Sequence, residues 1–397
     1  MSSLTGSVPR TKRGIALFII EMFSSLIPEK AIRAIARVKK RASEKNYVQG
    51  RVVDNLEETP KDEQGLVSRL MSSYRASKEA QKAVAAPYQP GAFWKILLEK
   101  EWKNPSTAIS NNDHEAFSVF LRNFFRNEGL SGFWGEDQMF ENFSNLDGME
   151  SKRRAGLLNQ QFEVWRDAHP NASIDELEAP KIGNPWGYVI QDVLVYEPAF
   201  EYHHQANYFA SILANIDAPV ILEIGGGFGG LAFHILQQIP KAKYIGLDLP
   251  ENVIIQSYYL SCAFPELRIL LYDEEHTSIT QEILEQYDVI LMPNFVLPET
   301  ESAIADLAIN VRSLSEMPLE TINEYCANMD RLSRKFIFHE NIYKPRKDGL
   351  HGIPTSEYPS LDNHALVSEQ ESIWPRYDKE SSYPCKSYLF LHKSRLR

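Results

Sequence analysis

The sequence predicts an α/β protein in which a doubly wound, mostly parallel sheet follows a mainly helical N-terminal domain. From about Ala218 onward, short apolar runs alternate with helical patterns, which is typical of a parallel sheet covered by helices. A run with five glycines in six positions, 225–230, lies directly after the first of these strands and opens a helix. With 397 residues and 43% hydrophobic content, the chain is long enough for two or three packed domains.

The predicted elements of the sheet domain follow one another without repeats. We expect strands at 219–225, 243–249, 268–273, 287–294, 335–342 and 387–393, and helices at 229–239, 251–263, 278–286 and 318–333. The strand at 287–294 is the fourth in this count. The long segment 345–375 contains Pro and Gly and predicts an active-site loop, because spacers of that length are uncommon inside compact domains.

Composition divides the chain into three parts. Residues 1–85 predict a basic helical segment and a linker with helical character, because 50–85 is charged and poor in aromatic residues. Residues 86–215 contain many aromatic side chains at helical spacings and predict a mainly helical cap domain with its own core. Residues 216–397 form the sheet domain.

Charge is unevenly distributed along the chain. The formal charge is −11, although residues 1–46 carry ten Lys or Arg and only three Glu. The remaining body is acidic, which argues against general affinity for nucleic acid. The apolar run at 14–28 contains Glu21 and is too short to span a bilayer, which takes about 20 residues. Residues 10–45 are open to two interpretations: contact with an anionic membrane surface or acidic partner, or packing on the body.

The three cysteines, Cys262, Cys326 and Cys385, lie far apart and show no paired spacing. Neither a disulfide framework nor a thiolate zinc site is indicated. We therefore expect a reducing, cytoplasmic location, with a peripheral membrane association if the basic segment binds lipid.

The glycine run predicts a nucleoside-binding loop. Its backbone N–H groups lie where a helix begins and can approach a ligand closely. Gly225, Gly227 and Gly230 fit the dinucleotide pattern G-x-G-x-x-G, whereas Glu223 extends the run to E-x-G-x-G-x-G, ending at Gly229. Asp248 ends the next strand, where a carboxylate can accept hydrogen bonds from ribose hydroxyls. A bare strand-to-helix turn and an NAD(P)-dependent oxidoreductase remain alternatives.

The E-x-G-x-G-x-G run is similar to motif I of class I methyltransferases, and the chain resembles the sugar O-methyltransferase family. The resemblance depends on LEIGGGFGGLA at 222–232, IGLDLPE at 245–251, SLSEMPLETINEY at 313–325 and IGNPWG at 182–187, and it covers roughly residues 180–342. It implies a Rossmann-like fold, S-adenosylmethionine as methyl donor and a sugar or glycoconjugate hydroxyl as acceptor. The implied donor-binding residues are Glu223, Gly225, Gly226, Gly227, Gly229, Asp248, Leu249, Asp273 and Asn294, with Asp273 placed for the adenine amine.

Methyl transfer to a hydroxyl requires alignment of the oxygen and removal of its proton. The candidate bases are His351 and His364 in the predicted loop and His339 at the end of a strand. Alternation places His339 and Glu340 on opposite faces of that strand. A divalent ion held by Asp362 and Glu340 is a less favoured alternative, and we predict no metal site.

A second candidate region, 182–208, precedes the first strand of the sheet domain and contains Asn184, Trp186, Tyr202, His203, His204 and Tyr208. Such side chains suit sugar binding and suit equally the seam between the helical domain and the sheet. A nucleotide-binding assembly module without catalytic activity is the remaining alternative function.

Overall fold

The computed structural model describes residues 48–52, 60, 62–126, 149–178, 180–185, 187–196, 198–274, 276–344, 353–374 and 385–396. The basic segment 10–45, Trp186 and the candidate base His351 lie outside these residues. No helix in the described ranges is both long and apolar enough to cross a membrane.

An eight-stranded sheet forms the centre of the molecule, in the order β10-β11-β9-β8-β4-β5-β7-β6. Its strands are β4 (Val220–Ile224), β5 (Lys243–Asp248), β6 (Ile269–Leu271), β7 (Val289–Pro293), β8 (Ala305–Val311), β9 (Ser333–Ile342), β10 (His364–Glu371) and β11 (Cys385–His392). All pairings are parallel except those of β11, which runs antiparallel to β9 and β10. The predicted fold class, a doubly wound, mostly parallel sheet of the Rossmann-like type, is confirmed.

Strand β8 was not predicted, and it changes the position of its neighbours. It pairs with β4 on one side and with β9 on the other. The strand predicted at 287–294 is β7, and it pairs with β5. Two polar residues interrupt the apolar run of β8 and conceal it in the sequence. Both are paired in the fold: Asp306 bonds Arg334 and the Val220 N–H, and Asn310 bonds the Ile224 carbonyl.

The helices and a small sheet surround this centre. The helices are α1 (Glu63–Gln81), α2 (Ala92–Glu101), α3 (Lys103–Ser110), α4 (His114–Arg122), α5 (Met149–Ala168), α6 (Ala199–Leu213), α7 (Gly230–Gln238), α8 (Pro250–Ala263), α9 (Gln281–Gln286) and α10 (Leu319–Leu332). Strands β1 (Val48–Val52), β2 (Gly187–Ile190) and β3 (Val193–Val195) form a small antiparallel sheet. Strand β1 precedes the region 86–215 that was predicted to be helical, and β2 and β3 lie inside it.

Strand β10 occupies part of the segment 345–375, which the sequence predicted to be a loop.

Helix α1 belongs to the main core, although the composition of 50–85 predicts a linker. Its buried residues Leu66, Val67, Leu70, Met71 and Tyr74 recur at helical spacing and share one cluster with α8 and the sheet. Polar contacts reinforce the packing. Glu251 at the start of α8 accepts from the Tyr74 hydroxyl at 3.2 Å and pairs with Lys78 at 2.8 Å. The helical and sheet regions therefore share one core, which continues from α1 and α4 through α6 to the sheet.

The buried face of α1 yields a test of this shared core. Leu70 has no exposed surface, so Leu70→Ala removes three carbon atoms from a packed interior and is expected to lower the free energy of unfolding by about 2–5 kcal/mol. Urea unfolding measures the change. Ser72→Ala on the exposed face of the same helix is the control, with an expected change within about 0.5 kcal/mol. An equally small effect of Leu70→Ala would show that α1 is not part of the core.

Candidate functional site

A cleft lies at the carboxyl ends of β4, β5, β7 and β8, where ligands bind in open α/β sheets. Its floor is the first part of the glycine loop, 225–227, and its far wall is the turn after β8. Gly229, which the sequence also predicted at this site, is not among the lining residues. Residues from the N-terminal region close it from above. They are Pro87, Gln89, Pro90, Gly91 and Trp94. The cleft therefore combines the sheet edge with a cap from the region before it.

The glycine loop adopts a backbone that favours glycine. Gly225, Gly227 and Gly229 have φ of 77°, 57° and 95°, in the left-handed region that side-chain-bearing residues rarely adopt. A Cβ at Gly225 would also lie 2.1 Å from Ser313 Oγ. The loop is thus held against the turn after β8, and its Gly225 N–H donates to the Leu247 carbonyl of β5 at 2.8 Å.

Glu223 lies beneath this loop at 2% exposure. Its Oε2 accepts from the Tyr244 hydroxyl, which in turn accepts from Gln256 Nε2 at 3.0 Å. Burial raises the pKa of the Glu223 carboxyl to about 7, and the Asp248 carboxylate adds to the rise against the opposing hydrogen bond from Tyr244. Near neutral pH this side chain therefore takes up and releases a proton readily.

Asp248 ends β5 and lies beside the loop. Its Oδ2 accepts from Gly227 N at 2.9 Å, and its Oδ1 accepts from Leu249 N at 2.7 Å and Asn252 Nδ2 at 3.0 Å. A carboxylate has about four acceptor positions, so these bonds leave Oδ2 able to accept one more. Burial raises the pKa of Asp248 to about 6, although the three hydrogen bonds oppose the rise.

Asn294, at the end of β7, brings an unpaired acceptor to the cleft. Its Nδ2 donates to the Tyr325 hydroxyl at 2.6 Å and to the Tyr88 carbonyl at 3.3 Å. Its Oδ1 is enclosed and has no hydrogen-bond partner among the described residues. A buried acceptor left unpaired costs stability unless a ligand supplies the donor. Asn294 is thus positioned to accept from a ligand.

Asp273 does not join this group. It ends β6, the outermost strand, where its side chain is exposed and its backbone N–H donates to the His276 carbonyl at 3.2 Å. The resemblance implied that Asp273 meets the adenine amine, but β7 and not β6 pairs with β5, so Asp273 lies two strands away from Asp248. The corresponding position at the cleft is held by Asn294.

Strand β8 contributes residues that the sequence analysis missed. Asn310 Nδ2 donates to the Ile224 carbonyl at 2.8 Å and to Ser313 Oγ at 2.5 Å, which ties the turn after β8 to the end of β4. Arg312 and Glu316 follow on this turn and line the cleft. The run SLSEM at 313–317, which is part of the family resemblance, could have indicated these residues. The strand that precedes it, β8, was not recognised in the sequence.

Two of the predicted bases lie away from the cleft. His364 begins β10 at the amino end of the sheet, where its Nδ1 lies 2.7 Å from Asp330 Oδ1. His339 is buried on β9 among rings, 4.8 Å from the centroid of Tyr388, and burial lowers its pKa to about 3. These placements correct the prediction that either histidine faces the reacting group.

The described part of the chain contains no cluster of three or more His, Cys, Asp or Glu suited to a metal ion. Asp362, which precedes β10, and Glu340, near the end of β9, lie at opposite ends of the sheet. Because of this separation, they cannot ligate one ion as the alternative hypothesis required.

The candidate residues of the region 182–208 fall into two groups: some line the cleft, and others pack between elements of the fold. Tyr202 of α6 lines the cleft. His203 instead accepts from Trp165 Nε1 at 3.0 Å and lies 3.0 Å from Glu176, while His204 lies 3.0 Å from His169. Asn184 and Tyr208 are packed as well, Asn184 with Asn123 and Tyr208 against Phe338. Most of this region therefore forms the seam between helices and sheet.

No protein-family model matches the sequence, and no curated protein matches it. Among solved structures, it is similar to a magnesium protoporphyrin IX methyltransferase from Synechocystis PCC 6803 with bound S-adenosylhomocysteine, at 11% identity, 65% of this chain, 100% of that chain and a TM-score of 0.34. It is also similar to the N-methyltransferase NodS from Bradyrhizobium japonicum WM9, at 12% identity, 49% of this chain, 86% of that chain and a TM-score of 0.31. Likeness at this level identifies neither substrate nor partner.

The buried Glu223 predicts a pH dependence of stability. Its pKa is about 7 in the fold against an ordinary value of 4.5, so between these pH values the folded state holds more protons than the unfolded state. Stability from this group therefore falls as pH rises. Relative to wild type, Glu223→Gln should gain about 2–3 kcal/mol between pH 5 and pH 8 in urea unfolding of the ligand-free protein. Glu320→Gln, at an exposed position, should show no such gain; equal behaviour of the two variants would refute the assignment.

Proposed function

We propose that this protein is an S-adenosylmethionine-dependent methyltransferase acting on a hydroxyl of a sugar or glycoconjugate. The observation that supports it best is the order of groups along the sheet edge. An unpaired amide acceptor (Asn294), a carboxylate with a free acceptor position (Asp248) and a glycine loop (225–229) end three consecutive strands, β7, β5 and β4. These groups suit an adenine amine, a ribose hydroxyl and the chain that extends from the ribose, in that order.

Charge supports this donor over a nicotinamide dinucleotide. Among the described residues, three carboxyl groups line the cleft, those of Glu223, Asp248 and Glu316, together with one cationic side chain, Arg312. A pyrophosphate at the start of α7 would bring two negative charges against these acids. S-adenosylmethionine brings a positive sulfur and an ammonium group, and it supplies an activated methyl group for transfer. An acidic cleft therefore favours the methyl donor.

The acceptor is proposed from the resemblance together with the cap. Trp94 provides an aromatic face and Gln89 an amide from the cap, and the Tyr202 ring lies beside the start of α7. Aromatic faces with a few directed polar groups suit the apolar faces and hydroxyls of a sugar ring. The base in this proposal is His351, since His339 and His364 do not line the cleft. Cytoplasmic location, with residues 10–45 at an anionic membrane surface, completes the proposal.

Donor binding is the first test. Isothermal titration should show micromolar affinity for S-adenosylmethionine and S-adenosylhomocysteine and none for NAD or NADP. Asp248→Asn removes a charged acceptor and should weaken binding of both sulfur ligands by about 10- to 100-fold. Asp217→Asn, at an exposed residue paired with Lys241, is the matched control and should bind as wild type does. Binding to the nicotinamide nucleotides alone would establish the oxidoreductase alternative; binding without turnover would favour the assembly module.

The acceptor is tested with a tritiated methyl donor and a panel of methyl glycosides. Trp94→Ala should lower kcat/KM for an active glycoside about 10-fold or more and leave the donor Kd unchanged, because Trp94 is assigned to the acceptor alone. Ile96→Ala is the control on the same helix, since Ile96 is 68% exposed and does not line the cleft. Methylation of amines or free carboxylic acids, with no transfer to any glycoside, would reject the sugar acceptor.

A further inference from the structure

Arg312 is the one cationic side chain that lines the cleft within the described residues. It directly follows β8, and its backbone φ is 67°, in the left-handed region. Its backbone N–H donates to the Glu340 carbonyl at 2.7 Å. A non-glycine residue in this conformation costs free energy, and such strain is found most often at functional sites. The backbone conformation of Arg312 is therefore consistent with a functional role for its side chain.

The guanidinium of Arg312 is held at one end and open at the other. Its Nη2 donates to Oε2 of Glu201, a residue of α6 whose side chain is 8% exposed. Its Nε is enclosed and has no partner in the described part of the chain. The side chain as a whole is 37% exposed and lines the cleft. A guanidinium has five N–H donors, so Arg312 has donors beyond the one that it gives to Glu201.

Arg312 lies where the far end of a nucleoside placed in the cleft would reach. Neighbouring strands lie about 4.8 Å apart, and Arg312 follows β8, two strands from the Asp248 carboxylate at the end of β5. A ligand with its base at Asn294 and its ribose at Asp248 therefore extends over the glycine loop toward Arg312. What remains of S-adenosylmethionine beyond the sulfur is an amino acid chain that ends in a carboxylate.

We propose that Arg312 binds the α-carboxylate of the methyl donor and that Glu201 positions the guanidinium for this contact. The inference rests on the proposed function, because it names the residue that holds one end of the proposed donor. A guanidinium pairs with a carboxylate through parallel N–H donors, which a point charge such as Lys cannot reproduce. The contact also places a positive charge opposite the one anionic group of the donor in a cleft otherwise lined by acids.

The test compares two ligands that differ in the amino acid chain. S-adenosylhomocysteine carries the carboxylate, and 5′-methylthioadenosine keeps the nucleoside and sulfur but lacks it. Isothermal titration gives the ratio of their Kd values for each variant. Replacing Arg312 should weaken S-adenosylhomocysteine about 10- to 100-fold and change 5′-methylthioadenosine less than twofold, so that the preference between the two is lost.

Three variants keep the test independent of folding. Arg312→Gln alone removes the positive charge beside the buried Glu201 carboxylate, so Arg312→Gln with Glu201→Gln removes both charges together. Arg312→Lys keeps the charge and should lose an intermediate part of the preference. Arg334→Gln is the matched control, because Arg334 is also 38% exposed and pairs with one acid, Asp306, at the opposite end of the sheet.

The outcomes separate the two proposals. If wild type binds neither ligand, the proposed function fails and this inference fails with it. If wild type binds both but the double variant keeps the wild-type preference, Arg312 does not hold the carboxylate, and the proposed function stands. Equal loss of both ligands in the double variant and in Arg312→Lys would likewise overturn the inference, because it would show a structural role for Arg312.

Discussion

Two buried carboxyl groups, Glu223 and Asp248, are the constraint on which the rest of the cleft depends. Burying a charge is costly unless hydrogen bonds or an opposite charge compensate for it. Here, Tyr244 donates to Glu223, and Gly227, Leu249 and Asn252 donate to Asp248. These bonds fix the glycine loop to the end of β5. The raised pKa values of both acids show that the compensation is incomplete.

A second polar network holds the loop from the other side. Asn310 joins the Ile224 carbonyl to Ser313, and Asn341 on β9 donates to Asn310 Oδ1 at 3.0 Å. Ser313 approaches Gly225 so closely that a side chain at position 225 would not fit. The ends of β4, β8 and β9 are thus locked together by side chains that are all buried or half-buried. A fully paired network of this kind favours one geometry of the loop.

The sequence predicted the parts of this arrangement that depend on local patterns. Residues 225–227 of the glycine loop, Glu223, Asp248, Leu249 and Asn294 line the cleft. Local patterns predicted them, because a strand, a glycine run and a strand end are recognisable from neighbouring residues. The fold class followed from the alternation of strands and helices. Asp273 and His364 were misplaced for a different reason. Their positions depend on which strands pair, and β8 and β10 contain polar residues whose partners lie far away in the sequence.

Helix α1 shows the same limit in another form. Composition indicated a linker, whereas the spacing of Leu66, Leu70 and Tyr74 contained the helical face that packs on α8. The partner for that face, Glu251 with its neighbours, lies almost two hundred residues later, and no local pattern connects the two. Tertiary packing thus buries a segment whose average composition resembles that of an exposed linker.

The acids of the cleft also bear on how a methyl donor would be held through a reaction. Carboxylates that bind a cationic sulfur stabilise the ground state, and binding of that kind lowers KM without raising kcat. The positive charge is lost on transfer, so the same carboxylates bind the neutral thioether product less well. Burial raises the pKa of Glu223 to about 7, so part of the population would present a neutral group beneath the loop at that pH. Under the proposed function, this neutral fraction would limit the ground-state stabilisation of the cationic donor.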